Sequence, residues 1–308
     1  MSSLKSRVNA DFALLFAAAV WGVAFVFQKS AMEHIGPLAF IASRGLLAAL
    51  ALAPLALLEI GRSDVRADFG FWRIAVLGGC AFFLAAWLQQ AGLITATVTN
   101  TGFLTALYVV ITPFIAWRWS GKRPNRIVWP SVALSIAGTW LLGGGTFSAF
   151  SFGDLLVAIS AFFWALHVVV TGRASPYRRP IAFTAVQFAI VGGLGAVSSV
   201  LLETTTWEGM RAAAPDIAYV AILSSALTFT ILTMALQFTP PSEATVIVSM
   251  EVVFAAAAAY LLLGERLPAI GWVGAALILG ATLLLQVGTV LGATWTRTEP
   301  VGQTGDRT

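Results

Sequence analysis

Charge is the scarcest property of this sequence. Asp, Glu, Lys and Arg make up 10% of its 308 residues and 58% are hydrophobic, whereas an ordinary soluble domain carries about 25% charged residues. That shortage excludes a water-soluble globule and makes a membrane the solvent. Cysteine is nearly missing as well. The single Cys80 lies inside an apolar run, so a disulfide framework or a cysteine metal site within the chain is excluded, and the residue reads as small core packing. Catalytic signatures are also absent: the sequence has no Gly-x-Ser-x-Gly, no His-Glu-x-x-His and no clustered Asp pair in its apolar runs. This argues against an intramembrane enzyme. Without a Walker motif or a cytoplasmic nucleotide domain, a primary pump is excluded too. No cofactor and no metal are expected.

What is present is a series of apolar runs of spanning length. About 20 apolar residues cross a bilayer as helix, and charged or Pro-rich punctuation cuts the chain into ten such runs: 12–32, 37–58, 71–92, 97–117, 128–144, 152–172, 180–202, 216–238, 243–263 and 270–290. Stretches such as "FAAAAAYLLL" are apolar on every face, which favours helices over the alternating strands of a barrel. The fold class is therefore all-α integral membrane. Lys5 and Arg7 before "FALLFAAAV" resemble a signal peptide, but the run continues through "WGVAFVF" to Met32 and counts as a span.

Lys and Arg set the orientation. With the N-terminus inside, the inner loops hold Lys5, Arg7, Arg62, Arg66, Arg73, Arg118, Lys122, Arg123, Arg126, Arg173, Arg178, Arg179, Arg297 and Arg307, and the outer loops hold Arg211 and Arg266, fourteen against two. Both termini are expected in the cytoplasm. The net charge of +4 is this bias, and no nucleic-acid partner is expected.

The chain repeats itself. A shift of 143 residues, without a gap, aligns Trp21 with Trp164, Pro37 with Pro180, and Ala39-Phe40 with Ala182-Phe183. The same shift aligns Gly121 with Gly264, Ile127 with Ile270 and Trp129 with Trp272. Because each half holds an odd number of spans, five, the second half enters the membrane from the opposite side. Inverted repeats with a site near the midplane mark secondary transporters.

The stretch "SMEVVFAAAAAYLLLGERLPAIGWVGAALILGATLLL", closing the second of two five-helix repeats, resembles the drug/metabolite transporter (DMT) superfamily, EamA type. The resemblance covers roughly residues 11–290 and rests most on Glu251 to Val253, Gly264-Glu265 and the Gly-rich run Gly271 to Gly280. Val252 stands where proline is common in the family, and Gly121-Lys122 where the first repeat often keeps Gly-Glu. Within the superfamily the chain is most similar to the bacterial aromatic amino acid exporters. The resemblance implies an EamA repeat over 11–145, an inverted one over 152–290 and a disordered cytoplasmic tail over 291–308. It also implies a bacterial inner membrane protein, working as a monomer, in which helices one, three, four, six, eight and nine surround a central cavity.

Several polar residues stand where a bilayer makes them costly. His167 lies in "FFWALHVVV", with Phe163 and Trp164 four and three residues before it on one helical face. It either bonds a neighbouring helix or offers a titratable group beside aromatic surface. Trp21, Phe25 and Gln28 follow at i, i+4 and i+7, and Trp21 is the repeat mate of Trp164. Thr97, Thr101, Thr105, Tyr108 and Thr112 make one stripe, which reads as helix-packing glue or as cavity wall. Glu251, the mate of Tyr108, is an architectural bridge, a proton carrier or a contact for a substrate ammonium. Gln89, Gln90, Ser224, Ser225 and Thr228 add hydrogen-bonding groups, with Gln90, Ser224 and Thr228 joining the candidate set. Arg44 and Lys29 sit toward outer span ends against the charge bias. Pairing with Glu33, snorkelling, or drawing a carboxylate at the outer mouth would account for them.

An aromatic or bulky neutral amino acid needs flat apolar surface, an acceptor for its ammonium and donors for its carboxylate. The sequence therefore reads as an exporter of such amino acids working by alternating access. Export of drugs or other small metabolites, including nucleotide sugars, is the alternative. The few cations in the spans argue against a phosphorylated cargo, and a channel would need a pore-lining ring that Glu251 alone does not supply.

Overall fold

A computed structural model describes residues 2–62, 68–121, 123–142, 151–266 and 269–295. Arg66, Lys122, Arg297, Arg307 and the tail residues 296–308 lie outside the described residues.

In hydrocarbon every backbone polar group must be satisfied within its own segment, and the described chain does so as helix. Its elements are α1 (Ser2–Ala31), α2 (Pro37–Arg62), α3 (Phe69–Leu93), α4 (Val98–Thr105), α5 (Tyr108–Ser120), α6 (Val128–Leu142) and α7 (Phe152–Gly172). A 3₁₀ turn (Ser175–Tyr177) leads to α8 (Pro180–Leu202), α9 (Trp207–Ala212), α10 (Ala214–Tyr219), a π-helical segment (Val220–Leu227), α11 (Thr228–Ala235), α12 (Pro241–Val248), α13 (Glu251–Leu263) and α14 (Ala269–Trp295). Eight helical stretches are long and apolar enough to cross a bilayer, and two shorter apolar helices, Val128–Leu141 and Ala269–Leu285, occupy the fifth and tenth expected spans. The last helix continues through 291–295, which the sequence reading assigned to the tail. Side chains such as Leu50, Leu57, Val200 and Leu201 are exposed around the outside, as lipid-facing positions should be.

Local chemistry sets the helix starts. Ser151 and Asp154 form a capping box on α7. Asp68 caps α3, its Oδ1 accepting from Phe71 N at 2.9 Å and from the Tyr177 hydroxyl at 3.0 Å. The Phe71 amide first, and the Tyr177 hydroxyl after it, hold the Asp68 carboxyl below its ordinary value of 3.8. A depressed carboxyl stabilises the fold above that value and loses its contribution as pH falls through the lowered one. The thermal-midpoint gap between wild type and Asp68→Asn is therefore expected to persist near neutrality and to narrow only below about pH 4.

Two long expected spans are broken, and broken alike. The fourth divides between α4 and α5 and the ninth between α12 and α13, and the four helix ends correspond under the 143-residue shift. At each break the backbone tightens to i−3 bonds, with Val109 N donating to Ala106 O at 3.0 Å and Val252 N to Ser249 O at 3.1 Å. Each second half ends on a left-handed glycine, Gly121 at φ 70° and Gly264 at φ 69°. The eighth expected span is also irregular, since its middle, Val220–Leu227, is π-helical.

Helix α2 packs along α8. Pro37 and Pro180 open these helices without an N–H, and the next free amides are taken by a carboxylate from the other helix. Glu203, just beyond α8, accepts from Leu38 N and Ala39 N at 2.9 and 2.8 Å. Glu59, near the end of α2, accepts from Ile181 N and Ala182 N at 3.3 and 2.7 Å. The pair therefore runs antiparallel, with a carboxylate on each positive helix end. Between the caps the backbones touch: a methyl group on Gly192 would meet Leu46 N at 2.6 Å. Backbone cannot yield as a side-chain tip can, so Gly192→Val is expected to lower the thermal midpoint in detergent by about 5 °C or more, or to prevent folding.

Candidate functional site

Where the two breaks meet, an open cavity lies among α1, α2, α3, α7, the π segment, α11 and the two broken spans. Nine of the candidate residues line it: Trp21, Phe25, Gln28, Thr105, Tyr108, Trp164, His167, Ser224 and Glu251. Gln90, Thr101, Phe163 and Thr228 do not. Gln90 Nε2 turns back to Gln28 O at 2.9 Å. Thr101 and Thr228 donate to carbonyls four residues earlier, Thr97 O at 2.8 Å and Ser224 O at 2.7 Å, the self-satisfaction open to threonine in a helix. Phe163 is half-buried and lies edge-on to Phe162 at 5.4 Å.

One wall is aromatic. Phe229 lies between the repeat-mate tryptophans, 4.9 Å from the Trp21 ring and 5.9 Å from that of Trp164, the second pair stacked at 27°. Behind it Phe82 stacks on Phe229 at 4.5 Å and contacts His167 at 4.8 Å. The two tryptophans differ in their polar edges. Trp21 Nε1 donates to Ser224 O at 2.9 Å, a carbonyl inside the π-helical stretch. Trp164 Nε1 is buried without a partner.

The other wall is polar. The breaks set Tyr108 and Glu251 at the first positions of α5 and α13, where the Tyr108 hydroxyl donates to Glu251 Oε1 at 3.0 Å. Both are buried, and among the described residues no cation lies within ion-pair distance of Glu251. Gln89 Nε2 donates to Thr105 Oγ1 at 2.7 Å. His167 Nε2 lies 3.3 Å from Gln187 Oε1 and 3.3 Å from Thr171 Oγ1. The Gln187 oxygen only accepts, so Nε2 carries the proton, and Nδ1 is buried without a partner.

Arg44 corrects the sequence reading most. It neither snorkels nor pairs with Glu33: it is buried in the cavity wall, and its guanidinium donates to Gln28 Oε1 at 3.4 Å. Lys29 does not pair with Glu33 either. Its Nζ caps the end of α3, donating to Leu93 O at 2.6 Å and to Ile94 O and Ala96 O at 3.1 Å, where a cation meets the negative helix terminus. Phe229, Leu232, Val168 and Val248 complete the lining; as ordinary apolar residues in apolar runs they carried no signal. At the end of the bundle where α1 and α12 begin, Arg7 is ion-paired with Glu243 and Thr239 Oγ1 donates to Asp11 Oδ1 at 2.8 Å.

This architecture has solved and sequenced counterparts. A protein of known crystal structure superposes with a TM-score of 0.74 at 16% identity, over 94% of this chain and 99% of that one, a likeness of fold. An uncharacterized transporter of Archaeoglobus fulgidus is 28% identical over 281 residues, 91% of this chain and 87% of the relative. The uncharacterized transporter YwfM of Bacillus subtilis is 24% identical over 299 residues, 92% and 95% of the two chains. The model of the EamA-like transporter family matches twice, over residues 8–144 and 151–287, and the second match begins and ends at the 143-residue displacement that also separates Tyr108 from Glu251. With two copies of that unit spanning nearly its whole length, the chain is a multi-pass membrane protein that belongs to the EamA-like transporter family of the DMT superfamily.

Proposed function

We propose that this transporter exports aromatic or bulky neutral amino acids from the cytoplasm by alternating access. One observation carries the reading: a single cavity combines an aromatic wall, Trp21, Phe229 and Trp164, with the Tyr108–Glu251 pair and with buried donors that have no partner. The ring of an aromatic amino acid stacks on the first, and its ammonium meets the carboxyl of Glu251. Trp164 Nε1 adds a free donor. Phe25, Gln28, Thr105, His167 and Ser224 complete the contact surface, with Gln90, Thr101, Phe163 and Thr228 supporting it from behind.

In this reading the chain crosses a bacterial inner membrane ten times as two inverted five-helix repeats, with both termini cytoplasmic, and works as a monomer. The antiparallel α2–α8 pair, the matched breaks and the basic inner loops support it. The helix breaks supply the flexible points, and the Arg7–Glu243 and Asp11–Thr239 contacts close the cytoplasmic mouth. The test is uptake into proteoliposomes from a panel of labelled amino acids, with and without a pH gradient. Transport of phenylalanine and tryptophan ahead of small or acidic amino acids is expected. If no amino acid crosses, export of another small metabolite or drug replaces this reading. Acceleration by a pH gradient distinguishes proton antiport from uniport.

A further inference from the structure

Arg44 is 4% exposed and belongs to the cavity wall. A cation at this depth runs against both the charge bias of the chain and the cost of placing charge in a membrane, so its partners decide what it is for. They are few. The guanidinium carries five donors in a rigid fork, yet its bond to Gln28 Oε1 is long at 3.4 Å, its Nε is buried without any partner, and no carboxylate among the described residues lies within ion-pair distance. The main-chain oxygen of Gln28 accepts from Gln90 Nε2 at 2.9 Å. That bond ties α1 to α3. The fork beside it makes one long bond, and its Nε has none.

A buried, unmatched guanidinium is costly alone and becomes favourable once a carboxylate occupies its fork in two parallel hydrogen bonds. We propose that Arg44 receives the carboxylate of the cargo, so that the cavity selects aromatic molecules that carry a carboxylate over those that carry only an amine. This deepens the transport reading above and rests on it. The cavity then holds both polarities of a zwitterion, the Arg44 guanidinium and the Glu251 carboxyl, around one aromatic wall. A single guanidinium suits a monoanionic carboxylate better than a phosphate, whose higher charge is ordinarily met by several cations.

The test uses three probes that share one phenyl ring: L-phenylalanine, 3-phenylpropionate, which lacks the ammonium, and phenethylamine, which lacks the carboxylate. Their binding to the full chain in lipid nanodiscs is measured near neutral pH against empty nanodiscs. Wild type is expected to bind L-phenylalanine most tightly and 3-phenylpropionate more tightly than phenethylamine. In Arg44→Gln, binding of both carboxylates should weaken about 100-fold while phenethylamine binding changes little. Arg44→Lys keeps the charge without the fork and should fall between; it also serves if the glutamine variant fails to fold. Arg44-dependent binding of 3-phenylpropionate without binding of L-phenylalanine would overturn the amino acid reading and leave this one standing. Equal loss of all three probes in both variants, unchanged 3-phenylpropionate binding in Arg44→Gln, or a wild-type preference for phenethylamine over 3-phenylpropionate would overturn the role of Arg44.

Discussion

Replacing Trp164 by alanine is expected to slow transport of L-phenylalanine and L-tryptophan about 100-fold per folded molecule, equivalent to about 2.7 kcal/mol, and to lower the thermal midpoint through the lost packing. The indole gives the cavity a face stacked with Phe229 at 5.9 Å and a buried N–H that no protein group uses. Aromatic pairing supplies about 0.5–1.5 kcal/mol beyond burial, and a hydrogen bond to a charged group about 1.5–3 kcal/mol. Trp164→Phe separates these, since it keeps a ring and removes the donor, and should cost about 10-fold. The same change at Trp21 should act differently. Its N–H already holds Ser224 O at 2.9 Å, so Trp21→Phe should lower the thermal midpoint more than it slows transport. Initial rates in proteoliposomes and melting curves on the same preparations check both. A loss in Trp164→Phe confined to stability, with rates per folded molecule intact, would remove the indole from the site.

The second large effect is expected at the junction of the two breaks. Glu251→Gln should lower L-phenylalanine transport about 100-fold while leaving binding of 3-phenylpropionate, which has no ammonium, nearly unchanged. Tyr108→Phe removes only the donor at 3.0 Å and should cost about 5- to 10-fold. Because the hydroxyl acts through the carboxyl, the double variant should be no slower than Glu251→Gln alone, the non-additivity of two groups in one contact. Multiplying losses would mean that Tyr108 meets the cargo independently of Glu251. If Glu251→Gln loses both ligands together with its thermal midpoint, the carboxyl is an architectural bridge between α5 and α13.

Much of this arrangement was readable in the residues because membrane helices advertise themselves by length. The apolar runs lie close to the helical stretches, and the 143-residue displacement seen in Trp21 and Trp164 is the displacement between the two family matches. Rotation about each helix was harder to read. In water a polar face marks the outside, but in a bilayer the lipid face and the core face are both apolar, so nothing in "WLQQAGL" tells Gln89, which faces the cavity, from Gln90, which does not. The breaks were hidden for a related reason. The ninth span has no proline or glycine near Ser249 and Met250, and tertiary contacts such as the Ser135–Ser249 bond at 3.0 Å hold the tightened turn there. The π segment "VAILSSAL" likewise reads as ordinary helix. Arg44, placed toward the outer end of its span, was accounted for by pairing with Glu33 or by snorkelling, because one helix's sequence does not show which other helices bury a side chain.

The reciprocal carboxylates of α2 and α8 limit what can slide. Shifting one helix past the other by a single turn, about 5.4 Å, would strip Glu203 from Leu38 and Ala39 and, in the same stroke, Glu59 from Ile181 and Ala182. Four amides would lose their acceptors at opposite ends of the pair, while Gly45 and Gly192 would be carried out of the notch in which their backbones meet. The pair therefore behaves as a fixed axle with a stop at either end, and the alternating access proposed above would pivot around that axle.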